Sequence, residues 1–226
     1  MMISPDWYYE EYLKGKTAAE IMTKIRSLKK EIGRLKKVLE DPSYPDREWA
    51  MHPSESVQLS CTKQYLEYAK KALAEAGSEY PLSKADVKVS SFNERLAAIK
   101  KIEFKISDFP YPSNARVVSV ADDGLLLCEG NPYAPKDMKS VHYPCDVADF
   151  INSLRTFEFG GWRRRYDTFR YGVAVMDGTS WELKLTFSDG KDSVRFTGDN
   201  AYPYNYEQLE ELFADLWTEG FDSETL

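Results

Sequence analysis

The 226 residues are 42% hydrophobic and 30% charged, a balance that excludes intrinsic disorder, and no apolar run reaches the ~18–20 residues that a bilayer-spanning helix needs. A net charge of −7 argues against a general nucleic-acid coat protein. Three cysteines (Cys61, Cys128 and Cys145), few and odd in number, argue against a disulfide framework and for a reducing compartment.

Met1 to Trp7 carries no basic region and no apolar run, so no secretory leader is expected and a cytoplasmic, bacterial-type protein is. Thr17-Ala18-Ala19-Glu20 reads as a capping box, in which the threonine hydroxyl accepts a free backbone N–H and the glutamate reaches back to another. Ile21, Ile25, Leu28, Ile32, Leu35 and Leu39 then recur in steps of four and three, which is a heptad seam. Asp41-Pro42 should end this helix. Gly33 within it costs about 1 kcal/mol against alanine, so the helix needs a packing partner. After a linker over 43–51, a second helix is expected from Pro53-Ser54 through Val57, Cys61, Tyr65, Tyr68, Ala69, Ala72 and Ala76 to Gly77. Two helices so joined form an antiparallel hairpin. Alone it leaves half its apolar surface wet, and the clean seam points to a second copy, hence a homodimer.

From Ser83 the texture changes. Residues 92–100 read as a short helix or the entry to a strand. Ile102 to Ile106 alternates, as a strand with one buried face does. Arg116 to Val120, the turn Asp122-Asp123-Gly124, and Leu125 to Cys128 read as a β-hairpin. Residues 131–144 read as a loop, and Asp146 as the cap of a helix through Val147, Phe150, Ile151 and Leu154. Arg170 to Met176, Trp181 to Phe187 and Ser193 to Phe196 read as a three-stranded meander with turns at Asp177-Gly178 and Asp189-Gly190. Trp181, Leu183, Leu185 and Phe187 share one face of it. Asn205 should cap a last helix whose Leu209, Leu212, Phe213 and Leu216 cover the meander. The expected class is α+β: an N-terminal antiparallel, coiled-coil-like helical hairpin over 1–80, then an antiparallel β-meander domain with covering helices over 81–226.

Trp162 and Tyr166, Asp177-Gly178 with Trp181, Asp189-Gly190, and Gly198-Asp199-Asn200-Ala201-Tyr202-Pro203 together resemble the C-terminal half of an uncharacterised domain recurrent in clostridial gut bacteria. The resemblance covers roughly Phe92 to Trp217, and the N-terminal hairpin looks like segments attached to such proteins. It implies no activity and therefore no catalytic residues. Tyr206 departs from the pattern, where phenylalanine is more typical.

Several groups have the chemistry of a site. Cys128, His142 and Cys145, with Asp146 or Glu129 as a fourth donor, suit zinc but lack the Cys-x-x-Cys spacing, and simple packing explains them better. Cys145, at an expected helix start, would be a lowered-pKa thiol, but His142 is too near in sequence to serve it well and His52 lies in the other segment. Asp122, Asp123, Asp177 and Asp189 each stand beside a glycine at a strand end, which turn formation explains. Trp162, Arg163, Arg164, Arg165 and Tyr166, with Arg170, form a basic and aromatic strip fit for phosphates and bases or for an acidic partner; the bland reading is a strand edge guarded by cations. Residues 17–40 are rich in Lys and Arg, and 207–226 are acidic with neither. Gly198 to Pro203 reads as a shaped structural loop. No phosphate loop or dinucleotide fingerprint is present.

The expected function is a non-enzymatic protein-interaction module without cofactor or metal. It would self-associate through Ile21, Ile25, Leu28, Ile32, Leu35 and Leu39, and bind a protein partner through the aromatic-rich sheet domain. The alternative is a nucleic-acid-associated or mobile-element (phage-type) regulatory or inhibitor protein using Arg163 to Arg165 and the basic helix.

Overall fold

The computed structural model describes residues 3–44, 53–108, 114–121, 124, 126–129, 141–143, 147–173, 175 and 177–218. The chain divides into two compact units, Met1–Leu82 and Ser83–Leu226.

The first unit holds α1 (Pro5–Tyr12), α2 (Ala18–Leu39) and α3 (Glu55–Glu75). The short α1, too brief to show a periodicity, was not expected. Its start is written in Ser4-Pro5: the Ser4 hydroxyl accepts the Trp7 N–H (3.2 Å), and proline sits where no intrahelical N–H is needed. The capping box of α2 forms in full, with Glu20 N–H donating to the Thr17 hydroxyl (3.4 Å) and Thr17 N–H to the Glu20 carboxylate (2.9 Å). Ile21 and Ile25 are buried with Leu13, Leu66, Ala69, Ala72 and Leu73, and Leu28 and Ile32 pack against that cluster. Leu35 is fully buried, and Leu39 is half-buried.

Ile21, Ile25 and Leu35 of the seam are thus buried within the unit, and Leu28, Ile32 and Leu39 are half-buried. Helix α1 supplies part of the cover. Tyr8 stacks on Tyr65 (4.3 Å), the Tyr65 hydroxyl donates to the Ile3 carbonyl (2.6 Å), and Tyr9 and Tyr68 donate to Glu75 and Asp6. Of the residues expected along α3, Ala69 and Ala72 face inward; the rest of that face is Leu59, Thr62, Leu66 and Leu73, while Val57 is exposed. The leucines take it because they are wholly apolar, whereas Tyr65 and Tyr68 keep hydroxyls that bond to the Ile3 carbonyl and Asp6. Thr62 tolerates burial by donating to the Gln58 carbonyl (2.7 Å).

The second unit contains α4 (Lys84–Arg95), β1 (Ile99–Asp108), β2 (Asn114–Val120), β3 (Leu126–Glu129), β4 (Val141–Tyr143), α5 (Val147–Thr156), β5 (Arg165–Asp167), β6 (Thr179–Phe187), β7 (Val194–Asp199) and α6 (Tyr206–Thr218). The class is α+β. The seven strands run in the order β4-β3-β2-β1-β6-β7-β5, antiparallel except for the parallel pair β5–β7. β1 is central and joins the two hairpins by pairing with both β2 and β6. A bulge between Ile99 and Lys101 lets Ile99 face inward along with Ile102 and Phe104, extending the expected strand backwards. One sheet face carries Ile102, Phe104, Val118, Leu126, Trp181, Leu183, Leu185 and Phe196, buried under Leu96, Phe150, Leu154, Leu209 and Phe213. The other bears an ion-pair ladder in which Glu103 lies between Lys101 (3.3 Å) and Lys184 (2.9 Å).

Residues 92–100, expected as a short helix or the entry to a strand, hold both: the end of α4, a 3₁₀ turn and the start of β1, the helix beginning earlier at a second capping box formed by Ser83 and Asp86. Two expectations are corrected. Within the expected loop 131–144, Val141–Tyr143 is a strand; residues 131–140 and 144, like the cap Asp146, lie outside the described residues. Among the described residues of Arg170 to Met176 there is no strand of the sheet. Thr168–Tyr171 is a 3₁₀ turn held by the Asp167 carboxylate, which accepts the Arg170 N–H (3.3 Å), and Gly172 follows at φ 73°. The alternation of Tyr171, Val173 and Val175 mimics a strand, but β-propensity acts only where a neighbouring strand is there to pair. The place beside β6 that the meander would give this segment is held by β1, and the far edge, beside β7, by Arg165–Asp167. Asp177-Gly178 therefore precedes β6 without joining two strands, while Asp189-Gly190 does turn β6 into β7, with Gly190 at φ 72°. No described helix is long and apolar enough to cross a membrane.

Candidate functional site

Of the residues that carry the clostridial resemblance, Trp162, Tyr166, Trp181, Gly198 and Ala201 are packed inside, whereas Asp177-Gly178 and Asp189-Gly190 are exposed. Trp162 is 3% exposed and Tyr166 1%, and both contact Trp181 edge-on or tilted at 6.4 and 5.8 Å. The Trp162 indole donates to the Phe157 carbonyl (3.0 Å) and that of Trp181 to the Ala201 carbonyl (2.9 Å). The Trp181 ring passes so close to Gly198 that a side chain there would collide with it and with the Ala201 carbonyl. Asn200, at φ 48°, accepts the Thr179 N–H through its side chain (2.8 Å) and so ties the end of β7 to the start of β6. This pattern builds a core.

The basic strip is accordingly split. Trp162 and Tyr166 form no stacking platform for a base, because their rings are already enclosed. The Arg163 guanidinium lies over the Tyr166 ring (4.5 Å) and that of Arg164 over Phe196 (5.0 Å). Partial burial, and then the neighbouring Arg95, push the pKa of Arg164 down. Arg95 itself is engaged by Asp189 (2.7 Å) and the Asp192 carbonyl (2.9 Å), and it covers Phe187. That bond first, and then the Lys191 N–H, holds the Asp189 carboxyl below its ordinary range. Arg165 and Arg170 reach solvent. Between them Phe169 is 75% exposed, with Val173 and Val175 exposed a few residues on. Sequence reasoning named the arginines and missed Phe169, which it had placed before a strand.

A second cluster, not anticipated, sits where β1 ends and α6 begins. Tyr206 is packed against Trp181 (5.1 Å), Tyr202 (4.6 Å) and Phe104 (6.0 Å), and its buried hydroxyl has no hydrogen-bond partner. Burial, with Glu210 next, raises its pKa far above the tyrosine range. Glu210, one turn along, is half-buried and its pKa is raised by that burial; Arg116 opposes the shift, and Glu207 and Asp108 add to it. The Asp108 carboxylate accepts the Thr179 hydroxyl. The sequence signal that could have located it is Tyr202 and Tyr206, four residues apart around the start of the last helix, with Glu210 one turn on.

Of the zinc candidates, Cys128 is buried in the core on β3 and Glu129 is exposed. Adjacent strand residues face opposite sides, so these two cannot share an ion. His142 lies in β4 opposite Leu127; its side chain, with Cys145 and His52, lies outside the described residues. Among the described residues no group of three or more His, Cys, Asp or Glu could hold a metal.

Among the described residues the second unit is a one-sided α+β sheet with an arginine-rich, apolar edge, and the first unit holds three helices. No protein-family model matches the chain, and no curated protein or solved structure compared with it matches.

Proposed function

We propose that the protein is a non-enzymatic, cytoplasmic interaction module whose sheet unit binds a protein partner at the β5 edge. One observation carries the reading: Phe169, Val173 and Val175 are 75%, 40% and 45% exposed within seven residues of one another, flanked by Arg165 and Arg170. Single exposed apolar residues need no explanation, but a clustered set does. Phe and Arg are enriched at interfaces, and burying one Phe side chain contributes roughly 1.5–3 kcal/mol.

The N-terminal unit is proposed as an antiparallel, coiled-coil-like hairpin braced by α1. Support comes from Ile21 and Ile25 sharing a cluster with Ala69, Ala72 and Leu73, and from the Lys29 ammonium donating to the Tyr80 hydroxyl (2.7 Å). Because Ile21, Ile25 and Leu35 are already buried within the unit, a monomer is favoured over dimerisation through the seam. Light scattering at micromolar concentration should give a mass near 26.0 kDa; twice that would restore the two-copy reading. Kinship with the clostridial domain is likewise a proposal, supported by the packing of Trp162, Tyr166, Trp181 and Asn200.

Immobilised protein should retain from its host lysate a protein that the Phe169→Ser and Arg165→Glu variants both release. Equal retention by all three would end the proposal. The nucleic-acid reading keeps one observation in its favour, the exposed Arg26, Lys30 and Lys37 on one stripe of α2. A mobility-shift assay at low and high salt tests it, and no shift at low salt removes it.

A further inference from the structure

We propose that the β5 edge receives an extended, acidic segment of the partner, with an apolar side chain of that segment meeting Phe169. The inference rests on the interaction-module reading and adds the chemistry of what binds.

The first ground is charge. Between residues 163 and 170 stand Arg163, Arg164, Arg165 and Arg170 against Asp167, in a chain whose net charge is −7. The edge is thus opposite in sign to the molecule that carries it. Its counter-charges are weakly held or already committed. The Arg165–Asp167 pair is 3.6 Å long, with the Arg165 side chain 72% exposed, so water screens it and an incoming carboxylate can replace it. Asp167 is also occupied as the cap of the Thr168–Tyr171 turn. Asp189 is tied to Arg95 and does not serve the edge.

The second ground is the backbone. Among the described residues β5 is the last strand of the sheet. In its parallel pairing with β7, Thr197 N–H donates to the Arg164 carbonyl (3.1 Å), so the amide and carbonyl of Arg165 turn to the outer side. An extended segment laid there can bond to the main chain while its acidic side chains reach Arg165 and Arg170, as strands added at sheet edges do. The third ground separates a peptide from a nucleic acid. A single strand of nucleic acid needs several open rings for its bases, but Trp162 and Tyr166 are enclosed and Phe169 alone is bare.

The test is fluorescence anisotropy on the full chain with a labelled peptide of alternating Glu and Val and one central Phe. Companion probes replace Glu by Gln, or are oligothymidine. The acidic peptide should bind at least about tenfold more tightly than the Gln peptide, and the difference should shrink as salt rises. Phe169→Ser and the double variant Arg165→Gln, Arg170→Gln should each weaken it at least about tenfold while melting as the wild type does, since all three side chains are exposed. Equal binding of the acidic and Gln peptides, with dependence on Phe169, would overturn the acidic partner and leave the interaction module standing. No binding of either peptide would overturn this inference, while the lysate comparison decides the module separately. Tighter binding of oligothymidine, lost in the arginine variant, would replace the peptide by nucleic acid.

Discussion

Tyr206→Phe removes one oxygen atom from the interior, and the structure requires that the protein gain stability from the loss. The ring is 6% exposed and packed on Trp181, Tyr202 and Phe104, contacts that a phenylalanine keeps. The hydroxyl has left water without finding a partner. Leaving such a group unsatisfied costs about 1–3 kcal/mol, so its removal should return about 1 kcal/mol after some loss of packing. For a domain of this size that raises Tm by about 2–4 °C. A pH signature accompanies it. Burial raises the Tyr206 pKa, so the folded chain keeps its proton while the unfolded chain ionises in the ordinary tyrosine range. The contribution is complete below that range and is lost as pH rises above it. Tyr206→Phe should therefore flatten part of the alkaline decline. Denaturant titrations followed by tryptophan fluorescence measure both effects, because Trp181 lies against the substituted ring. A variant less stable than the wild type by about 1 kcal/mol or more would mean that the hydroxyl makes a bond in solution, a cost of that size being typical of a lost partner.

Two glycines should answer to alanine in opposite ways. Gly33 lies inside α2 with nothing near the position of a new Cβ, so Gly33→Ala should stabilise the first unit by about 1 kcal/mol in chemical denaturation. At Gly198 the same methyl group meets Trp181 and the Ala201 carbonyl, and Gly198→Ala should cost about 3 kcal/mol and disturb the tryptophan emission. Glu210→Gln tests the half-buried carboxyl. Its raised pKa means that its share of stability is full below the ordinary glutamate range and is lost as pH rises through the raised value, so the variant should exceed the wild type at neutral pH and match it in acid. A difference that does not vary with pH would refute that account.

What was legible in the sequence is what local rules decide. The capping box at Thr17 and Glu20, the alternation of Trp181 to Phe187 and the turn at Asp189-Gly190 all appear where expected, because each is fixed by residues within a few positions. The pairing of β1 with β6 was not legible, since it joins segments some eighty residues apart and no local pattern names the partner of a strand. The same limit explains Arg170 to Met176. Its alternation was real, but the place beside β6 that a meander would give it is held by β1, from a segment far away in sequence. The cover of the seam by α1 was hidden for another reason: eight residues show too little periodicity to announce a face. Of the candidate site, the arginines were visible as charge, whereas the bare Phe169 between them required knowing that the chain curls there into a 3₁₀ turn.

The placement of the recognisable residues bears on where function resides. Trp162, Tyr166, Trp181, Gly198 and Asn200 are engaged in closing a core: two indoles are bonded to carbonyls, a glycine makes room for one of them, and an amide pins two strands together. A chain can change its partner without touching any of these, and it cannot change one of them without disturbing the others. A protein sharing the pattern is therefore bound to share the core and is free to differ at Arg165, Phe169 and Arg170, which the core does not enclose. The arginine and phenylalanine variants should accordingly alter binding without altering melting, and Gly198→Ala should alter melting first. If instead Phe169→Ser lowered the melting temperature as Gly198→Ala does, the exposed turn would be part of the core and the separation of the two roles would fail.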